Sequence, residues 1–142
     1  MTTTPAAPGV AMTLTTDGSL VCTTTHGPSR ATLLTDAPAD NGGTATSFSP
    51  TDLLGVALAS CIVTTMAIAA KKQSVPWGPA SAKVAKHMGG PPRRVAELVV
   101  EVTMPKELPK DQHVHFEHIA HGCPVTRSLS PETKISLTFV YS

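Results

Sequence analysis

An α+β fold is what the sequence predicts, with one long helix set among short, mostly antiparallel strands. Leu53 to Ala70 is apolar almost without a break, interrupted only by Gly55, Ser60, Thr64 and Thr65. Short runs rich in β-branched residues lie on both sides of it, punctuated by Gly, Pro, Asn and Asp. The resulting order is β-β-β-α-β-β-α-β, with helices inserted between runs of strands.

The 142 residues suit one domain with a real core, taken here as 10–142 behind a loose tail at 1–9. A net charge of +1 and the lack of a charged half give nucleic acid and anionic membranes nothing to attract. Aromatic residues make up 4%, too few to stack single-stranded bases. The N-terminus lacks a charged segment followed by an apolar one, and three cysteines, an odd number, do not suit a secreted disulfide framework. A cytoplasmic protein with free thiols is the expectation.

Ala11 to Thr16 and Ser19 to Thr25 read as strands, with Asp17-Gly18 between them as a two-residue hairpin turn. Leu20, Cys22 and Thr24 then share one face, which makes Cys22 a small packing residue. His26-Gly27-Pro28 is a turn, and Ala31 to Thr35 is a third strand. Asp36 to Gly43 is a loop dense in turn formers. Ser49 suits a helix cap, Pro50 the first helical position and Asp52 the capping-box position, where an acid also opposes the helix dipole. Lys71 and Lys72 mark the other end. A helix apolar all round is buried all round. Its length is marginal for a membrane span, which needs about 20 residues. Its alanines and scattered hydroxyls favour a central helix wrapped by other elements, some of them from a second subunit.

Beyond it, Ala82 to Met88 and Val95 to Met104 form an antiparallel hairpin around Gly89-Gly90-Pro91-Pro92, with Leu98, Val100 and Val102 on one face. Pro109 to His121 is a second helix, closed by Gly122, with Phe116, Ile119 and Ala120 as its apolar stripe. Pro124 opens a short helix that ends near Ser130-Pro131, and Lys134 to Tyr141 is the last strand.

Two cysteines stand out. Cys123 opens a short helix, where the dipole and free N–H groups draw a thiol below its free pKa of about 8.5. Cys61 lies midway along the apolar helix and needs a nearby cation to become nucleophilic. Local physics therefore ranks Cys123 above Cys61, while packing roles remain open for both. His113, His115, His118 and His121 precede Cys123, and neighbouring pairs at i, i+3 spacing can share a metal, although no sharper zinc pattern is matched. Arg127 and Arg30 are candidate counter-charges.

The stretch Ser-Pro-Thr-Asp-Leu-Leu-Gly-Val-Ala-Leu-Ala-Ser-Cys (49–61), with Gly-Cys-Pro-Val-Thr-Arg-Ser-Leu (122–129) and the Asp36–Gly43 loop, resembles the OsmC/Ohr family of thiol peroxidases. The likeness covers most of the chain from Val10 onward. It implies an intertwined homodimer whose long helices are enclosed by curved antiparallel sheets from both subunits. It also implies that Cys61, the peroxidatic residue, attacks the terminal oxygen of an organic hydroperoxide and becomes a sulfenic acid. Cys123, the resolving residue, then condenses with it to a disulfide. A dithiol, a lipoyl group or a thioredoxin-like protein, restores the pair. This reverses the local ranking of the thiols. In the family an arginine activates the first cysteine, held by a glutamate directly after the proline. Here Thr51 stands at the glutamate position and Asn41 at the arginine position of the OsmC branch, so Arg30 and Asp52 are the candidate substitutes.

The expected function is thus a thiol-dependent peroxidase with peroxiredoxin activity in stress response, using neither metal nor organic cofactor. A thiol-disulfide reductase using the same pair is one alternative. A non-enzymatic apolar-ligand carrier is another, as is a metal binder through His115, His118, His121 and Cys123.

Overall fold

The structure is a computed structural model that describes residues 8–142, so most of the expected tail lies outside the described residues. The chain divides into two compact units at Pro50/Thr51.

The N-terminal unit is a three-stranded antiparallel sheet of β1 (Met12–Thr15), β2 (Cys22–His26) and β3 (Thr32–Thr35) in the order β1-β2-β3. The expected two-residue turn at Asp17-Gly18 does not form. Thr15 pairs with Thr23, so a loop over 16–21 joins the strands. Local side chains widen it. Asp17 Oδ1 accepts the Ser19 N–H at 2.9 Å, Thr16 Oγ1 accepts the Gly18 N–H at 3.2 Å, and the Thr16 hydroxyl donates to the Ser19 carbonyl at 3.1 Å. Hydroxyl and carboxylate groups of this kind compete with ladder hydrogen bonds. Gly18, at φ 99°, still supplies the left-handed step.

Cross-strand pairs share a face, so Met12, Leu14, Cys22, Thr24 and Leu33 line one side of this sheet. Thr13, Thr15, Thr23, Thr25 and Thr32 line the other. Met12 and Leu14 are 64% and 59% exposed.

After β3 the chain folds over Asp36, which is 2% exposed. Its Oδ2 accepts hydrogen bonds from the Thr44 N–H at 3.1 Å and the Thr44 hydroxyl at 2.6 Å, and from the Thr46 N–H and hydroxyl at 3.4 and 3.3 Å. Gly43 permits this fold, because a Cβ there would meet the Ala37 carbonyl oxygen at 1.6 Å. The Thr44 hydroxyl, ahead of the backbone donors, holds the Asp36 carboxyl below its ordinary value.

The C-terminal unit carries α1 (Pro50–Gln73, its first residue at the boundary), β4 (Ser81–Gly89), β5 (Arg94–Thr103), α2 (His113–His121), α3 (Pro124–Ser128) and β6 (Lys134–Val140). The predicted second helix therefore begins later than Pro109, after a 3-10 turn at Lys110–Gln112, and the short third helix ends at Ser128. The sheet order is β4-β5-β6. β4 and β5 are antiparallel as expected, but β6 runs parallel to β5. This sheet is mixed, because α2 and α3 carry the chain back before β6 begins and so form the crossover a parallel pair needs.

Leu98, Val100 and Val102 are fully buried on one face of β5, as their alternation predicts. Val95 joins them out of phase because a bulge opposite His87/Met88 inserts one residue, Ala96, into β5. Across the parallel pair, Ile135, Leu137 and Phe139 lie beside Leu98, Val100 and Val102.

α1 is, among the described residues, the one helix long and apolar enough to cross a membrane. Gly55, Leu58, Ala59, Ile62, Met66 and Ala70 form its buried stripe, at i, i+3 and i+4 spacing. Burial on all sides is not what a single chain achieves: Val56 and Ile68 are 43% and 54% exposed. At Gly55 a Cβ would lie 3.0 Å from Val84 Cγ1 and 3.5 Å from Leu98 Cδ2, so the missing side chain lets the helix approach the sheet closely. Phe116 of α2 closes the same core and stacks on Trp77 with ring centroids 5.7 Å apart. Each large side chain fully buried here stabilises the fold by about 1.5–3 kcal/mol.

The Asp36 contacts set an acid limit on the N-terminal unit. A carboxyl lowered by folding stabilises the native state fully above its unfolded value, and that contribution is lost as pH falls through the lowered value. Thermal unfolding followed from pH 7 to pH 2 should show a loss of stability below the ordinary carboxylate value of 3.8, reduced in Asp36→Asn. An unchanged acid dependence in that variant would show that Asp36 does not anchor the loop.

Candidate functional site

α1 and α3 each present one cysteine to a single apolar cluster. Cys123 is 0% exposed and belongs to the core that Leu58, Ile62, Met66, Phe116 and Ala120 build. Cys61, half-buried, packs against that core from α1, one position before Ile62. Both sulfurs are free thiols. The apolar stripe of α2 explains the placement of the second, since Phe116, Ala120 and Cys123 continue one i, i+4, i+7 face past the helix end.

The polar surroundings of the two sulfurs differ. Cys123 is the cap residue of α3, with extended backbone at φ −65° and ψ 151°, followed by Pro124 at the first helical position. Its Sγ accepts the Thr126 N–H at 3.4 Å and lies 3.1 Å from the Thr126 hydroxyl. The Arg127 guanidinium lies alongside Gly122, the preceding residue, with Nη2 3.6 Å from where a Cβ would stand. On α1, Cys61 Sγ is 3.8 Å from the Thr65 hydroxyl, one turn on.

Asp52 lies in the first turn of α1 and pairs with Lys86 of β4, Oδ1 to Nζ, at 2.8 Å. The same ammonium donates to Thr51 Oγ1 at 2.9 Å. The position that the resemblance gives to a glutamate therefore faces a lysine cation. Lys86 escaped the sequence reading, because nothing in an alternating strand marks which residue meets a helix 34 positions earlier. Thr126 escaped it too, although a signal was present: it stands three residues after a cap, where capping-box side chains fall.

Arg30 and Asn41 belong to the N-terminal unit. Arg30 is exposed in the turn between β2 and β3 at φ 61°, its N–H bonded to the His26 carbonyl at 2.8 Å. Asn41 ends a 3-10 turn and donates its N–H to Pro38 at 2.9 Å. Cys22 is half-buried on β2 opposite Thr35.

The residues of the metal alternative are not brought together. Among the described residues no group of three or more His, Cys, Asp or Glu side chains can hold an ion. His115, His118 and His121 are exposed, whereas Cys123 is buried in the core. The histidines are engaged separately: His115 with Gln73 at 2.9 Å, His113 stacked on Tyr141, and His121 edge-on to Phe139.

Fold and site together define a class: an α+β protein with one thiol on a long core helix and another at the start of a short helix on the same core. Comparison with known sequences and structures names the class. Residues 42–138 match the sequence model described as OsmC-like protein. The chain belongs to the OsmC family. A Psychrobacter arcticus structure described as an osmotic stress induced and detoxification response protein superposes with a TM-score of 0.86 at 33% identity, covering 95% of this chain and 98% of that one. The organic hydroperoxide resistance protein OhrB of Bacillus subtilis shares the fold at a TM-score of 0.69 and 16% identity, over 95% and 100% of the two chains. One from Elizabethkingia anophelis does so at 0.77 and 13%, over 98% and 100%. No functionally curated protein matches the chain by sequence.

The difference in burial predicts a difference in labelling. Brief treatment of the native, reduced protein with iodoacetamide, followed by peptide mapping, should modify Cys61 well before Cys123. Equal labelling of the two would contradict the packing described.

Proposed function

We propose that this protein is a thiol-dependent peroxidase that reduces organic hydroperoxides, with Cys61 and Cys123 as its redox pair. The observation that carries this is the convergence of those two free thiols on one apolar cluster in a chain of the OsmC family. Solved relatives of the same fold are described as organic hydroperoxide resistance proteins, which supports the substrate class.

In the reaction, the Cys61 thiolate attacks the terminal oxygen of the hydroperoxide. The O–O bond breaks, the alcohol leaves with a proton, and Cys61 becomes a sulfenic acid. Cys123 attacks that sulfur, water leaves, and a disulfide forms. An external dithiol, a lipoyl group or a thioredoxin-like protein, then returns two electrons. The apolar surroundings of Cys61 favour an alkyl hydroperoxide over hydrogen peroxide. A cation supports the attack by stabilising the thiolate, and Arg30 is the candidate. Asp52, with Lys86 and Thr51, orders the start of the helix that carries Cys61.

The working form is an intertwined homodimer in which residues 10–142 act as one domain, in the cytoplasm. Supporting the dimer are the exposed stripe of α1 and the exposed apolar face of the N-terminal sheet, which one chain leaves in water.

Replacing each cysteine separates the roles. With cumene hydroperoxide, Cys61→Ser should lose peroxide consumption by at least about a hundredfold. Cys123→Ser should consume about one equivalent and stop, leaving a Cys61 sulfenic acid that dimedone traps. Consumption at the wild-type rate in Cys61→Ser would overturn the assignment.

A further inference from the structure

Resting on the two-cysteine cycle proposed above, we infer that Thr126 is a positioning residue that makes Cys123 the leaving sulfur when the disulfide is reduced, so that the external dithiol attacks Cys61. Three observations converge. The Thr126 hydroxyl lies 3.1 Å from Cys123 Sγ, and the Thr126 N–H points at the same sulfur from 3.4 Å. Cys123 is 0% exposed, in the same buried cluster as Phe116 and Ala120, whereas Cys61 is half-buried. The hydroxyl beside Cys61, that of Thr65, is farther off at 3.8 Å.

Thiol–disulfide exchange selects between two sulfurs by access to the one attacked and by the stability of the one expelled. Both criteria select the same direction here. A protonated Cys123 can donate to or accept from the threonine hydroxyl. Once its sulfur carries the electron pair it only accepts, and both Thr126 groups then donate to it as charge-assisted hydrogen bonds.

The step balances. One thiolate of the dithiol bonds to Cys61 Sγ, the Cys61–Cys123 bond breaks, and its electron pair goes to Cys123 Sγ, which later takes a proton. The second thiol of the reductant, losing its proton, attacks the mixed disulfide at the reductant's own sulfur. Cys61 is released as a thiolate and the dithiol leaves as a cyclic disulfide, oxidised by two electrons.

The test begins with protein oxidised by one equivalent of cumene hydroperoxide or by diamide, with the Cys61–Cys123 link checked by peptide mapping. If neither oxidant forms the link, the two-cysteine cycle falls and this inference with it. With the link present, a brief pulse of β-mercaptoethanol, acid quench and alkylation with N-ethylmaleimide should place the mercaptoethanol on Cys61 and the maleimide on Cys123, in about tenfold excess over the reverse. Thr126→Val should slow reduction by dithiothreitol about tenfold and erode that preference. Thr126→Ser, which keeps the hydroxyl, should stay within about twofold of wild type, a rescue that a purely steric role does not give. An adduct mainly on Cys123 would overturn the inference while leaving the peroxidase cycle intact. So would a Thr126→Val protein matching wild type in both rate and adduct position.

Discussion

One apolar cluster holds the C-terminal unit together, and the position of both thiols follows from it. Leu58, Ile62 and Met66 from α1 meet Leu98, Val100 and Val102 from β5 with no exposure on either side. Phe116 and Ala120 of α2 complete the contact, and Cys123 is the next step along that face. The sulfur chemistry is therefore tied to the packing. A buried core tolerates little movement, because its side chains interlock at crystal-like density. A thiol held in such a core keeps a fixed position, which suits the resolving role proposed for Cys123.

The two thiols are unlike for reasons that lie in their local backbones. Cys61 sits inside a continuous helix, where backbone N–H groups are already bonded, and only a side chain can reach its sulfur. Cys123 sits at a helix start, where the N–H of Thr126 has no intrahelical partner and turns to the sulfur instead. One thiol is thus half-buried with a single hydroxyl 3.8 Å away; the other is enclosed and doubly contacted. The proposed cycle, in which one sulfur is oxidised and the other later expelled, would use that asymmetry.

Much of this was legible in the sequence. The apolar run from Leu53 to Ala70 and its Ser49-Pro50 start gave α1 to within a residue, because its caps and composition act locally. Alternation in Leu98–Val102 gave the core face of β5, and the stripe through Phe116 pointed to Cys123. The direction of β6 was not legible: alternating residues serve a parallel or an antiparallel ladder equally, and the crossover decides. The turn at Asp17-Gly18 misled because the Thr16 hydroxyl and the Asp17 carboxylate, not strand pairing, set its width. Lys86 was invisible as the partner of Asp52, since only tertiary packing joins them. Thr126 left a trace that capping rules could have read.

The proposed cycle requires Cys61 and Cys123 to act as one two-electron unit while Cys22 stays apart. A stoichiometric titration of the fully reduced protein with tert-butyl hydroperoxide, with free thiols counted and disulfides mapped at each point, tests this most directly. It should reach an end point at about one equivalent per chain, with two thiols lost, Cys61 linked to Cys123 within one chain, and Cys22 free. Loss of the Cys22 thiol in step with the others, or an end point at which Cys61 and Cys123 remain unlinked, would contradict it.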